Sequence, residues 1–176
     1  MPAYALSRPD PSEYATYYES YIRPVAGEDI PELLKSQPAV LEPLRSIGDS
    51  DAKKRYAPDK WSVKEVIGHV NDAERIFAYR MLRIARGDQT ALSGFEQQPY
   101  VDVARFDRLP IAQLVDAFGT ARASTISLMG EIDADGWRRM GTASGFPVSA
   151  RAIAYIIAGH AAHHLGVLLD RYGVRL

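Results

Sequence analysis

The sequence predicts an all-α fold, a four-helix bundle with a long crossover connection. Three observations carry this prediction. Four stretches repeat apolar residues at helical spacing. Their ends carry helix start and stop residues. No stretch alternates apolar and polar residues as a half-buried strand does, so little or no sheet is expected. Helices with one apolar face bury it by packing round a common core.

The elements follow in order. Ser12 to Ile22 is rich in tyrosine (Tyr14, Tyr17, Tyr18, Tyr21) and reads as a short helix or an ordered arm, ended by Pro24 and Gly27. Residues 1–27 form this N-terminal arm, and residues 28–176 the bundle domain. The first long helix starts near Asp29. Asp29 and Glu32 have the spacing of a capped start, and Pro31 falls in the first turn. Leu33, Leu34, Leu41 and Leu44 supply its apolar face. Pro38 and Pro43 kink or shorten it, and Gly48 stops it.

The second helix has the clearest start. Ser62 is a cap with Glu65 three residues on, and Trp61 precedes the cap as a staple onto Val66. Val66, His69, Val70, Ala73, Phe77 and Leu82 recur at helical spacing up to Gly87 and Asp88. Thr90 to Leu109 lacks a single period and reads as a long connection with about one helical turn. The third helix runs from Pro110 to Ile132. A Gly-containing connection with Trp137 follows, Asp133 to Pro147. The fourth helix runs from Val148 to Tyr172, capped by Ser149 and stopped by Gly173.

Composition narrows the function. The length of 176 residues suits one domain, and 47% apolar residues are ample for one core. The formal net charge is -1 and there is no basic block, so neither a nucleic-acid partner nor an anionic membrane is expected. No apolar run reaches the length of a membrane span, and Met1 to Asp10 does not read as a signal peptide. There is no cysteine, which excludes disulfides, thiolate metal sites and a catalytic thiol. A cytoplasmic location is expected.

The four histidines are the main functional signal. His160, His163 and His164 fall within five residues, and His69 lies in the second helix. His160 and His164, four apart, share one helix face, a spacing that lets two rings reach one ion. His69 lies on the apolar stripe of its own helix. If those helices are neighbours, three nitrogens converge on one divalent metal ion with a coordination position left open, as in catalytic zinc sites. Imidazole also suits nickel, iron or copper. The alternative is packed core histidines with no metal. His163 points away from the pair and is set aside. Asp72, Glu74 and Tyr100 are candidate bases or supporting partners. The two carboxylates read equally as solvated helix-face charges paired with Arg75 or Arg80, and Tyr100 as a packing aromatic.

The segment Trp61 to Glu74 (WSVKEVIGHVNDAE), Gly94 to Val101 (GFEQQPYV), and Ala158 to Gly166 (AGHAAHHLG) together resemble the DinB-like/YfiT-like proteins over about residues 28 to 173. The resemblance implies a four-helix bundle with a long crossover, often as a homodimer. It implies nickel or zinc held by a His triad that matches His69, His160 and His164. It also implies a small-molecule substrate, with a low-molecular-weight thiol as cosubstrate in some members. The expected function is a metal-dependent hydrolase or a thiol-dependent S-transferase. The alternative is a non-catalytic metal-binding or helical interaction protein in stress response, with the tyrosines as a contact surface.

Overall fold

A computed structural model describes residues 6–174. Residues 1–5, where the expected arm and the stretch read as lacking a signal peptide begin, lie outside the described residues, as do 175 and 176. Eight α-helices and one two-stranded sheet make up the described chain. The helices are α1 (Glu19–Ile22), α2 (Ile30–Leu41), α3 (Asp49–Ala52), α4 (Val63–Ala85), α5 (Gln97–Ala104), α6 (Ile111–Met129), α7 (Ala134–Arg138) and α8 (Ala150–Tyr172).

Local chemistry explains the long helices. Asp29 caps α2 by accepting from the Glu32 N–H at 3.2 Å. Ser62 and Glu65 close a reciprocal capping box on α4: the Ser62 Oγ accepts from the Glu65 N–H at 3.1 Å, and the Glu65 carboxylate from the Ser62 N–H at 2.8 Å. Ser149 accepts from the Ala152 N–H at 3.0 Å and starts α8. Gly173, at φ 63°, ends α8 in the left-handed conformation that glycine adopts without strain. Pro43 ends α2 by opening a 3-10 turn, Glu42–Ser46. Pro38 stays inside α2.

The bundle is formed by α2, α4, α6 and α8. α4 packs on α6 and α8, and α2 packs on the same two helices. Two pairs consecutive among these four, α2 with α4 and α6 with α8, therefore stand on diagonals, whereas α4 and α6 are neighbours. α8 is buried along most of its length and apolar all round. By length and mean hydropathy (1.5) it could cross a bilayer, but 67% of that apolar window is buried in this bundle.

Two connections carry structure that local pattern did not announce. Residues 86–110 hold α5, eight residues long rather than one turn. The expected loop before α8 contains α7 and a hairpin, β1 (Met140–Ala143) with β2 (Phe146–Ser149), in antiparallel register. Its two-residue turn, Ser144-Gly145, has φ of 55° and 81°, the primed turn that matches strand twist. Leu92 bridges to this hairpin through Leu92 N–H to Thr142 O and Ser144 N–H to Leu92 O, both 2.9 Å.

The core falls into two apolar clusters. One gathers Ile22, Leu34, Phe77, Met81, Ile153 and Ile157. The other gathers Leu41, Val66, Val70, Phe118, Leu165 and Leu168. A buried polar layer lies between them. Arg122 on α6 pairs with Glu74 on α4 in a two-pronged contact (Nε to Oε1 2.8 Å, Nη2 to Oε2 3.0 Å). Arg122 also donates to Gln37 Oε1 at 2.5 Å and to Leu34 O at 3.1 Å. Gln37 Nε2 donates to Ala158 O on α8 at 2.8 Å. Pro38 explains one of these bonds: having no N–H, it leaves Leu34 O, four residues back, without its helical donor.

Candidate metal centre

His69 from α4 and His160 and His164 from α8 come together on one side of the bundle. Their nearest ring nitrogens all lie within 4.8 Å of one another. The Nε2 atoms of His69 and His160 face each other at 3.1 Å. Ring centroids are 5.0 Å apart for His69 and His160, 4.9 Å for His69 and His164, and 4.5 Å for His160 and His164. Among the described residues no carboxylate joins this group.

Two glycines admit the walls of the site, and each directly precedes a histidine. A Cβ on Gly159 would meet the Tyr21 carbonyl oxygen at 2.0 Å, so only glycine lets the α1 segment lie against α8 there. That approach brings Tyr21 edge-on to His160, at 5.3 Å. A Cβ on Gly68 would meet the Phe106 ring at 2.3 Å, so the segment after α5 closes on α4 at the same level. Trp61 covers His69 (4.8 Å between centroids) and is held by Gln98, whose Oε1 accepts from the indole N–H at 3.0 Å. Phe77 lies edge-on to His160 at 5.6 Å.

This apolar and aromatic setting fixes the charge state. Burial pushes the His69 imidazole down to about 4 and His164 down to about 3. His160 lies well below its ordinary value, from burial first and then from the neighbouring imidazoles. All three are neutral at neutral pH and keep a lone pair for a cation. The donor set fits a divalent metal: three imidazole nitrogens lie within 4.8 Å of one another, and two bonds of about 2.1 Å to one ion span at most about 4.2 Å, so a small approach of the rings would enclose an ion. Burial is graded. His69 and His160 are 3% and 6% exposed, whereas His164 is half-buried.

The other candidates separate. His163 is exposed and contacts Tyr21 and His164 at 5.5 and 5.1 Å. Asp72 is half-buried and pairs with Arg75 at 3.3 Å, as a helix-face charge would. Glu74 corrects the reading of the sequence. It is not a solvated charge paired with Arg75 or Arg80 but the buried partner of Arg122. Tyr100 is 48% exposed and packs on Phe95. Sequence reasoning missed Trp61 and Tyr21 as walls of the site. The Gly-His pairs at 68–69 and 159–160 were the available signal.

A four-helix bundle with three imidazoles converging from two facing helices defines a class of protein. Comparison with known proteins gives the family: a model of the DinB superfamily matches residues 32–168, and the chain belongs to that superfamily. Among solved structures, the chain is similar to YfiT from Bacillus subtilis, described as a probable metal-dependent hydrolase with an unusual four-helix bundle topology. The TM-score is 0.73 at 14% identity, over 96% of this chain and 98% of that one. It is also similar to the mycothiol-dependent maleylpyruvate isomerase, with a TM-score of 0.65 at 16% identity over 82% of this chain. The match covers 61% of the isomerase. At these identities the likeness is one of fold. No curated protein matches the sequence.

Proposed function

We propose that this chain holds one divalent metal ion, zinc or nickel, on His69, His160 and His164, and acts as a metal-dependent hydrolase or a thiol-dependent S-transferase. The observation that carries this reading is the meeting of three neutral imidazoles from α4 and α8, with His164 the least buried of the three. A divalent ion there supplies Lewis acidity and keeps a water or a thiol deprotonated at neutral pH. The chain's own residues do the rest. Three neutral donors leave positions for groups from solution. Trp61, Tyr21 and Phe77 keep bulk water from the rings, which strengthens electrostatic contacts inside. His163 stands exposed beside His164.

A small-molecule substrate suits this setting. A thiol cosubstrate is supported by two facts: the chain has no cysteine to serve as nucleophile, and it shares its fold with an enzyme described as mycothiol-dependent. The test is elemental analysis of the untagged protein beside His69→Ala, His160→Ala and His164→Ala. About one ion per chain, lost in every variant, is the expected result. Full metal in any variant overturns that residue's assignment.

One observation favours a second reading. The 3.1 Å contact between the Nε2 atoms of His69 and His160 pairs those rings without an ion. In that case the histidines are packing residues of a metal-free helical protein, and chelation leaves the melting temperature unchanged.

A further inference from the structure

Three aromatic side chains wall the histidines, and they are held in different ways. Tyr21 lies where the α1 backbone presses on Gly159, so it cannot leave His160 unless α1 moves. Phe77 is buried inside α4 and belongs to the core. Trp61 stands outside the helix, one residue before the α4 cap. Its half-buried ring lies against His69, which is almost fully buried.

The backbone of Trp61 is fixed. The Tyr172 hydroxyl at the end of α8 donates to its carbonyl at 2.5 Å. The next residue, Ser62, is locked in the capping box and donates from Oγ to Asp107 Oδ1 at 2.5 Å. The indole is held more lightly. Its single polar group, the N–H, donates to Gln98 Oε1 at 3.0 Å, and Gln98 Nε2 donates in turn to Asp102 Oδ1 at 2.8 Å. Gln98 and Asp102 are both exposed and both lie on α5, which buries only Val101. Hydrogen bonds between exposed side chains exchange readily with water and contribute little net stability. A ring on a fixed backbone, held by such a pair, turns about its side-chain torsions without opening the core.

We infer that Trp61 is a gate over His69 and that Gln98, braced by Asp102, is its latch. With the latch closed the indole shields the imidazole. With the latch released His69 opens to solutes, while His160 stays behind Tyr21 and Phe77. The crossover helix α5 thereby governs access to the histidines, as mobile segments do at many sites. The inference rests on how the rings are placed and held, and it requires no ion on them.

The test measures access directly. The whole chain, kept free of metal by excess chelator at neutral pH, is treated with diethyl pyrocarbonate, which acylates neutral imidazole. Modification at low conversion is assigned by mass spectrometry of tryptic peptides, and His69 is the one histidine of peptide 65–75. In the wild type His69 is expected to react far more slowly than the exposed His163. Gln98→Ala raises the His69 rate about fivefold, the scale of one hydrogen bond. Asp102→Ala raises it less, because the acceptor for the indole remains, and Trp61→Ala raises it most. His160 keeps its rate in all three variants. In a Trp61→Phe background, where the indole N–H is gone, Gln98→Ala adds nothing. Gln98 is exposed, so its variant carries the test even where a Trp61 variant does not fold. The proposal is overturned by a wild-type His69 as reactive as His163, by an unchanged His69 rate in Gln98→Ala, by an equal rise at His160, or by a further rise from Gln98→Ala in the Trp61→Phe background.

Discussion

Two polar groups sit in the middle of this bundle, and they are built in opposite ways. In the Arg122 group every charge is answered. The guanidinium meets a carboxylate, a side-chain amide oxygen and a backbone carbonyl, and α2, α4, α6 and α8 all contribute. In the histidine group three neutral rings face one another with lone pairs left over, contributed by α4 and α8 alone. A closed polar network ties helices together. A cluster of donors without an acid is poised to receive something from outside.

The sharpest way to break this contrast is Arg122→Ala. It leaves Glu74, 2% exposed at the side chain, as an unpaired buried charge. A loss of about 3–5 kcal/mol in urea unfolding is expected, as for other broken buried pairs. The double variant Arg122→Met with Glu74→Leu should recover much of it, since removing both charges removes the orphan. A loss below about 1 kcal/mol in the single variant would place the pair in water.

The histidine group should behave in the reverse manner. Zinc at about a hundredfold over its dissociation constant should add about 2.7 kcal/mol to the wild type and nothing to His160→Ala. Calorimetric melting with and without zinc measures this, and equal gains in both would detach the stabilisation from the cluster.

Gly159→Ala probes the wall rather than the ligands. Its Cβ would collide with the Tyr21 carbonyl, so the α1 segment must shift. A cost of about 1–3 kcal/mol is expected, typical of overpacking. Tyr21 fluorescence or amide shifts should report the displaced arm, and an unperturbed arm would contradict the contact.

Acid acts on the histidine group. Folded His69 and His164 titrate at about 4 and about 3, below the value of about 6.5 for unfolded histidine. Between these values the unfolded chain binds protons that the folded chain does not. The histidine contribution to stability is therefore full above about pH 6.5 and is lost as pH falls toward 4 and then 3. The metal-free protein should lose up to about 1.4 kcal/mol per pH unit for each such ring in that window. His69→Ala should flatten the slope measured by urea unfolding, and an identical slope in that variant would assign the proton uptake elsewhere.

Much of the fold was legible in the chain. The Ser62–Glu65 box, the Ser149 cap and the Gly173 stop act within a few residues, so sequence alone reveals them. The i,i+4 relation of His160 and His164 is equally local. α5 was less legible because only Val101 in it is buried, which leaves no apolar stripe. The hairpin escaped because its strands have four residues each, too few for a period, although Ser144-Gly145 was a turn signal. Glu74 was misread because its partner lies 48 residues away, and a carboxylate on a helix looks the same in sequence whether it faces water or an arginine.

The sequence by itself determined four long helices, the capped starts of three of them, and which side chains share a face on each, because caps and periodicity are local; the first helix stops at Leu41, short of the expected Gly48. Tertiary structure decided which helices are neighbours. Placing α4 against α8, not on its diagonal, brought His69 to the other two histidines. It also set Arg122 opposite Glu74 and left Arg80 without an acid among the described residues, since the partners of a buried charge are chosen by packing between distant segments.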